Sequence, residues 1–123
     1  EYPNEKQLQY IKELVRGVAN HGPELDQYIA QYAKDWSFAR IPLPAAAIMR
    51  VAMYEILYMP DIPAAAAIND AVEIAKKYED GKVVSFINGI LGAFVRAEFP
   101  EQFQDKKLAR AEVEPAAEHE EEA

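Results

Sequence analysis

The chain has 123 residues, half of them hydrophobic, and no cysteine; this allows one domain with one core and excludes disulfides, thiolate metal sites and cysteine nucleophiles. The formal net charge is −8, but residues 101–123 hold eight acidic and three basic side chains, so residues 1–100 hold thirteen acidic and ten basic ones. Such a mildly acidic body lacks the clustered Lys and Arg of a free-standing nucleic-acid binder. The densest apolar stretch, Ile41 to Tyr58, is broken by Pro42, Pro44, Arg50 and Glu55. No run of about 18 or more apolar residues occurs, so no membrane-spanning helix is expected. Glu1-Tyr2-Pro3-Asn4-Glu5 lacks the basic start and apolar core of a signal peptide. The missing thiols fit a cytoplasmic location.

The first helix is expected over Asn4 to Asn20, capped by Asn4. Leu8, Ile11, Leu14, Val15 and Val18 fall on one face, with Lys6, Lys12, Glu13 and Arg16 off it. Gly22 then Pro23 is a stop followed by a start, and a second helix is expected over Pro23 to Trp36, with Leu25, Ile29, Tyr32, Ala33 and Trp36 inward. Pro42 and Pro44 block helix through a connection at Ser37 to Pro44. The third helix, Pro44 to Tyr58, is apolar nearly all round and belongs in the middle of a bundle. Met59-Pro60-Asp61-Ile62-Pro63 is a tight turn. A fourth helix over Pro63 to Tyr78 turns Ile68, Ala71, Val72 and Ala75 inward. Glu79-Asp80-Gly81 is a turn, and a fifth helix runs over Lys82 to Glu98 on Val83, Phe86, Ile87, Ile90, Leu91 and Phe94. No segment alternates with period two, so no strand is expected. Gln102 to Leu108 suits a short helical turn. From Ala111 the low-complexity acidic sequence is expected to be disordered. The reading is therefore an all-α bundle over residues 1–100 with an acidic tail over 101–123.

Catalytic chemistry finds little to work with. Ser37 and Ser85 are the only serines and threonine is absent, so hydroxyl nucleophiles are nearly excluded. The sequence contains no phosphate-binding glycine loop, no GxSxG and no HExxH. The paired carboxylates Glu79-Asp80 and Glu24-Asp26 sit at turns, away from any pocket that would raise a pKa. His21 and His119 read as solvent-exposed loop histidines without partners at metal-ligand spacing. Neither an enzyme, a metal site nor a cofactor is expected.

Three polar residues stand in apolar helical surroundings. Asn69 and Asn88 are read as buried amides whose hydrogen bonds fix packing, against the alternative of contact with a base edge or a partner. Glu55, beside Tyr54, is read as a pairing group within the fold. Gly89 and Gly92 permit close helix approach. The turn between the fourth and fifth helices differs in kind. Lys76, Lys77, Tyr78 and Lys82 gather cations and a ring, with Phe86 one turn further on. This is either a solvated helix end whose cations suit the dipole, or the cation-plus-ring set that single-stranded RNA recognition uses.

The order of segments resembles a known family. ELVRGV at 13–18, PELDQYIAQYAKDW at 23–36, AIMRVAMYEILY at 47–58, DIPAAAAINDAVEIAKKY at 61–78 and SFINGILGAF at 85–94 look like the successive motifs of the transcription antitermination factor NusB family. Each motif is weak alone, and the ordered set is fairly specific. The resemblance implies an all-α fold of about seven helices. It implies binding of boxA-type single-stranded RNA together with the small-subunit ribosomal protein NusE, in the RNA polymerase antitermination complex that serves ribosomal RNA operons. It also places RNA contacts on the loop corresponding to Tyr78–Phe86, with Tyr78 and Phe86 as the family's aromatics, and on an arginine-rich segment opening the family's first helix.

That arginine-rich segment and about two helices have no counterpart before ELVRGV: either this sequence is a piece of a longer chain or the protein lacks half of the family's RNA site, and in both cases their absence is expected to account for the mild acidity of residues 1–100. Ala45-Ala46 replace an acidic–basic pair, which puts a partner contact there in doubt. Glu79 stands where the family usually has Gly, and Gly81 where it often has an acid, so the loop is expected to differ in shape. Apolar faces on the third to fifth helices are therefore expected to need cover, from further N-terminal residues or from a second copy in a homo-oligomer. Two other readings stay open. One is the similar module that precedes ribosomal RNA cytosine methyltransferases, although YEILY and INGILG fit it less well. The other is a helical protein–protein scaffold without RNA binding.

Overall fold

Helices begin where the chain supplies a cap or a proline. In the computed structural model, which describes residues 4–34 and 36–103, these are α1 (Glu5–Asn20), α2 (Gly22–Tyr32), α3 (Leu43–Tyr58), α4 (Ala64–Tyr78), α5 (Gly81–Glu98) and α6 (Pro100–Phe103), with a 3-10 turn at Phe38–Arg40. No strand occurs among the described residues. The fold is the all-α bundle expected. Asn4 and Gln7 form a reciprocal capping box on α1, at 2.8 and 2.9 Å. Pro23 sits in the first turn of α2 and Pro44 in that of α3, where a missing N–H is no loss.

α3 is the central helix and packs against α1, α2, α4 and α5. Leu25 and Ile29 from α2, Met49 and Met53 from α3, and Ile87, Leu91, Phe94 and Val95 from α5 are fully buried. Each such side chain contributes about 1.5–3 kcal/mol by leaving water. α4 meets this core with short side chains, Ala64, Ala67, Ala71 and Ala75 around Ile68, which lets its backbone lie close to α3. Phe94 anchors an aromatic cluster, edge-on to Tyr28, Tyr32 and Phe99 at 5.0, 6.2 and 6.0 Å. Arg50 Nε donates to Asp26 Oδ1 at 2.6 Å and ties α3 to α2.

Several expectations need correction. α2 stops at Tyr32 rather than Trp36, because Trp36 leaves the helix to stack on Phe86 of α5, ring centroids 4.5 Å apart at 29°. Stacking two half-buried rings outweighs four more residues of helix. Asn69 is exposed: one residue past the buried Ile68, it is rotated about 100° off the inner stripe of α4. Gly89 is exposed, and a methyl group added there would meet nothing within 4 Å, so it mediates no close approach, whereas Gly92 is buried. His21 is half-buried rather than a free loop residue; its Nδ1 donates to the Gly17 carbonyl at 2.9 Å and its ring lies 4.4 Å from that of Tyr58. The fold also runs past residue 100: α6 packs on α5, and Gln102 Oε1 accepts from Ala64 N–H at 2.8 Å. The rest of the expected turn to Leu108, the acidic tail and His119 lie outside the described residues.

Candidate nucleic-acid interface

The α4–α5 turn is fixed on both sides by backbone chemistry. The Glu79 N–H closes α4 onto the Ala75 carbonyl at 2.8 Å, and Glu79 itself is extended. Asp80 then caps α5, its Oδ1 accepting from the Val83 N–H at 3.0 Å. Such a cap stabilises by about 1 kcal/mol, and a carboxylate suits the positive end of the α5 dipole. The turn is therefore a rigid corner between two helices that both contribute to the core through Ala75 and Val83.

The corner presents its polar and aromatic side chains outward. Lys76 and Lys77 occupy the last turn of α4, and Lys82 the first turn of α5; all three are exposed. Tyr78 is 68% exposed. Lys76 meets Glu73 at 3.1 Å in an exposed pair, an interaction weak enough to be exchanged for another anion. Phe86 differs from the other four. It shares a face with Lys82 at i,i+4, but it is half-buried and stacked on Trp36. One of its ring faces is occupied by the protein, so it supports the corner more than it offers a free platform. Trp36 was not legible as part of this surface, since its partner lies fifty residues away in the chain.

The remaining polar residues are engaged inside the fold. Glu55 on α3 accepts from the Tyr10 hydroxyl of α1. Burial raises the Glu55 carboxyl above its ordinary range; the Tyr10 hydrogen bond pulls the other way, and the charge of Asp70 adds to the rise. Burial and Glu55 likewise raise the Tyr10 hydroxyl. Asn88 is buried at 9% exposure on α5. The carboxylates that the sequence places in pairs serve separate structural ends: Glu24 accepts from the Tyr58 hydroxyl at 2.6 Å, Asp26 pairs with Arg50, and Asp80 is the α5 cap. The bond to Glu24, together with desolvation, pushes the Tyr58 hydroxyl up to about 12. Among the described residues no group of three or more His, Asp or Glu is arranged to hold a metal ion, and no helix is long and apolar enough to cross a membrane.

Comparison with known proteins gives one consistent answer. The NusB family model matches residues 1–96. The transcription antitermination protein NusB of Limosilactobacillus fermentum is 45% identical over 91 residues, which are 73% of this chain and 66% of that protein. Its counterpart in Acetivibrio thermocellus is 44% identical over 93 residues, 76% of this chain and 64% of that protein. The counterpart in Symbiobacterium thermophilum is 40% identical over 92 residues, 75% and 60% respectively. The chain thus spans 60–66% of the length of these relatives.

Proposed function

The chain belongs to the NusB family, and from that premise we propose that it is a transcription antitermination and elongation factor. On this reading it binds boxA-type single-stranded RNA together with the ribosomal protein NusE and joins the RNA polymerase antitermination complex in the cytoplasm, supporting ribosomal RNA transcription. The observation that carries the reading is the open ring of Tyr78, 68% exposed on a rigid corner flanked by Lys77 and Lys82. A ring left mostly exposed between cations suits a base stacked between phosphates. Lys76, Lys77 and Lys82 take the phosphates, Tyr78 takes a base, and Phe86 holds the α5 side of the corner against Trp36.

The charge distribution assigns a part to the protein partner. With thirteen acidic and ten basic side chains in residues 1–100, this body attracts RNA weakly by itself. On this reading the ribosomal protein supplies the missing phosphate contacts. The test is RNA affinity of the complex with the ribosomal protein at fixed salt. Losing a stacking ring costs about 1–3 kcal/mol, so Tyr78→Ala should weaken binding by about tenfold or more while leaving thermal stability unchanged. Lys82→Ala should lower the slope of affinity against salt by about one unit. An unchanged dissociation constant for Tyr78→Ala rejects the assignment.

A further inference from the structure

The surface of the α4–α5 corner does not end at Phe86. Trp36 lies against that ring, and both rings are only half-buried, so part of each faces solvent. Trp36 belongs to the connection between α2 and α3, and the 3-10 turn Phe38–Arg40 begins two residues after it. The turn is closed by its own backbone. The Arg40 N–H donates to the Ser37 carbonyl at 3.0 Å, and the Ile41 N–H to the Phe38 carbonyl at 3.2 Å. Ile41 is buried in the core and pins the turn from below. The side chains next to the Trp36–Phe86 stack are therefore displayed from fixed backbone, as those of the corner are.

Two of those side chains are left open. Phe38 is 37% exposed and meets no other ring among the described residues. Arg40 is exposed and forms no ion pair among the described residues. The same holds for Lys82 on the other side of the stack, one turn before Phe86 on α5. From Trp36 to Tyr54 the sequence contains no acidic residue, so no carboxylate follows closely on Arg40 in the chain. Lys82, the stacked rings, Phe38 and Arg40 thus continue the mixture of rings and cations that begins at Lys77 and Tyr78.

We propose that single-stranded RNA held at the corner continues past the Trp36–Phe86 stack onto the 3-10 turn, where Phe38 stacks a further base and Arg40 takes a phosphate. The inference rests on the RNA reading of the corner and extends it to a second element of the fold. A guanidinium presents a planar fork of donors that fits phosphate oxygens, and a ring with an open face accepts any base. Rings interleaved with unpaired cations favour a nucleic acid over a protein partner, because every nucleotide offers a face to stack and a charge to meet. Trp36 and Phe86 join the two parts of the surface: each keeps one face on the other.

Phe38→Ala and Arg40→Gln test it, in the complex with the ribosomal protein and against a fluorescein-labelled boxA-type RNA. Both side chains are exposed, so helical circular dichroism and thermal melting should match those of the parent chain. Phe38→Ala should weaken RNA binding by about fivefold or more at fixed salt. Arg40→Gln should lower the slope of affinity against salt by about one unit, and Arg40→Lys should keep it. Affinity for the ribosomal protein should not move. Shortening the RNA from one end should abolish the effect of Phe38→Ala while that of Tyr78→Ala persists. Loss at Tyr78→Ala with none at Phe38→Ala and Arg40→Gln overturns this inference and leaves the corner reading intact. No loss at any of the three overturns both. A fall in affinity for the ribosomal protein, with RNA affinity of the assembled complex unchanged, assigns the turn to a protein contact and overturns the inference as well.

Discussion

α1 and α5 are both long amphipathic helices, of 16 and 18 residues, yet they are used differently. α5 buries Val83, Ile87, Asn88, Ile90, Leu91, Gly92, Phe94 and Val95, while α1 buries only Gly17. α5 touches α2, α3, α4 and α6, whereas α1 rests on α3 and α2. Apolar periodicity therefore establishes that a helix forms and which face it turns inward; it does not say how much of that face its own chain will cover. The first turn of α5 can hold Lys82 outward at the corner because the rest of that helix is anchored in the core. α1 instead offers its apolar stripe outward.

The sharpest way to break this contrast is to remove matched side chains from each helix. Phe94→Ala deletes a fully buried ring that three other rings pack around, and it should cost about 3–5 kcal/mol in denaturant unfolding. Leu8→Ala, at a position 39% exposed, should stay within about 0.5 kcal/mol in dilute solution. Equal losses would mean that α1 is as deeply integrated as α5.

Glycine substitutions sharpen the contrast at smaller scale. A methyl group at Gly17 would overlap the Tyr54 ring, so Gly17→Ala should push α1 off α3 and cost about 1–3 kcal/mol. Gly89 has open space around it and sits inside a helix, so Gly89→Ala should stabilise by up to about 1 kcal/mol. Thermal melts of the two variants should move in opposite directions; a shared direction would contradict the packing described for one of the two helices.

The smallest expected effect is pH-dependent and lies at the α1–α3 contact. The Glu55 carboxyl is raised by burial, with the Tyr10 bond opposing and Asp70 adding. The folded state thus holds this proton more tightly than the unfolded chain does. The associated stability is present below the ordinary glutamate value of 4.5 and is lost as pH rises through the raised folded value. Glu55→Gln keeps an acceptor for Tyr10 and removes the titration. Its melting temperature should vary less with pH across that window than that of the parent chain. An identical pH profile would show that Glu55 is solvated as if free.

Most of the architecture was legible because its signals are local. Prolines at helix starts, the Asn4 cap and the stripes of α3, α4 and α5 lie within a few residues of what they determine. The Lys76–Lys82 corner was legible for the same reason, since its cations and ring are neighbours in the chain. What was not legible depended on distant partners. The end of α2 is set by Trp36 finding Phe86, and the half-burial of His21 by Tyr54 and Tyr58 arriving from α3. The exposure of Asn69 was hidden for another reason. An apolar neighbourhood in sequence does not mean an inward face on a helix, and the small inner positions of α4 leave Asn69 and Asp70 together on the outside.

The central claim is that the α4–α5 corner is the RNA surface, and nuclear magnetic resonance of the amide-labelled chain bound to the ribosomal protein tests it most directly. On addition of boxA-type RNA, the account predicts the largest shifts at Lys76, Lys77, Tyr78, Lys82 and Phe86, with the α1 stripe at Leu8, Ile11 and Val15 nearly unmoved. RNA that binds while the corner stays silent, or shifts that map to the α1 stripe instead, would contradict it.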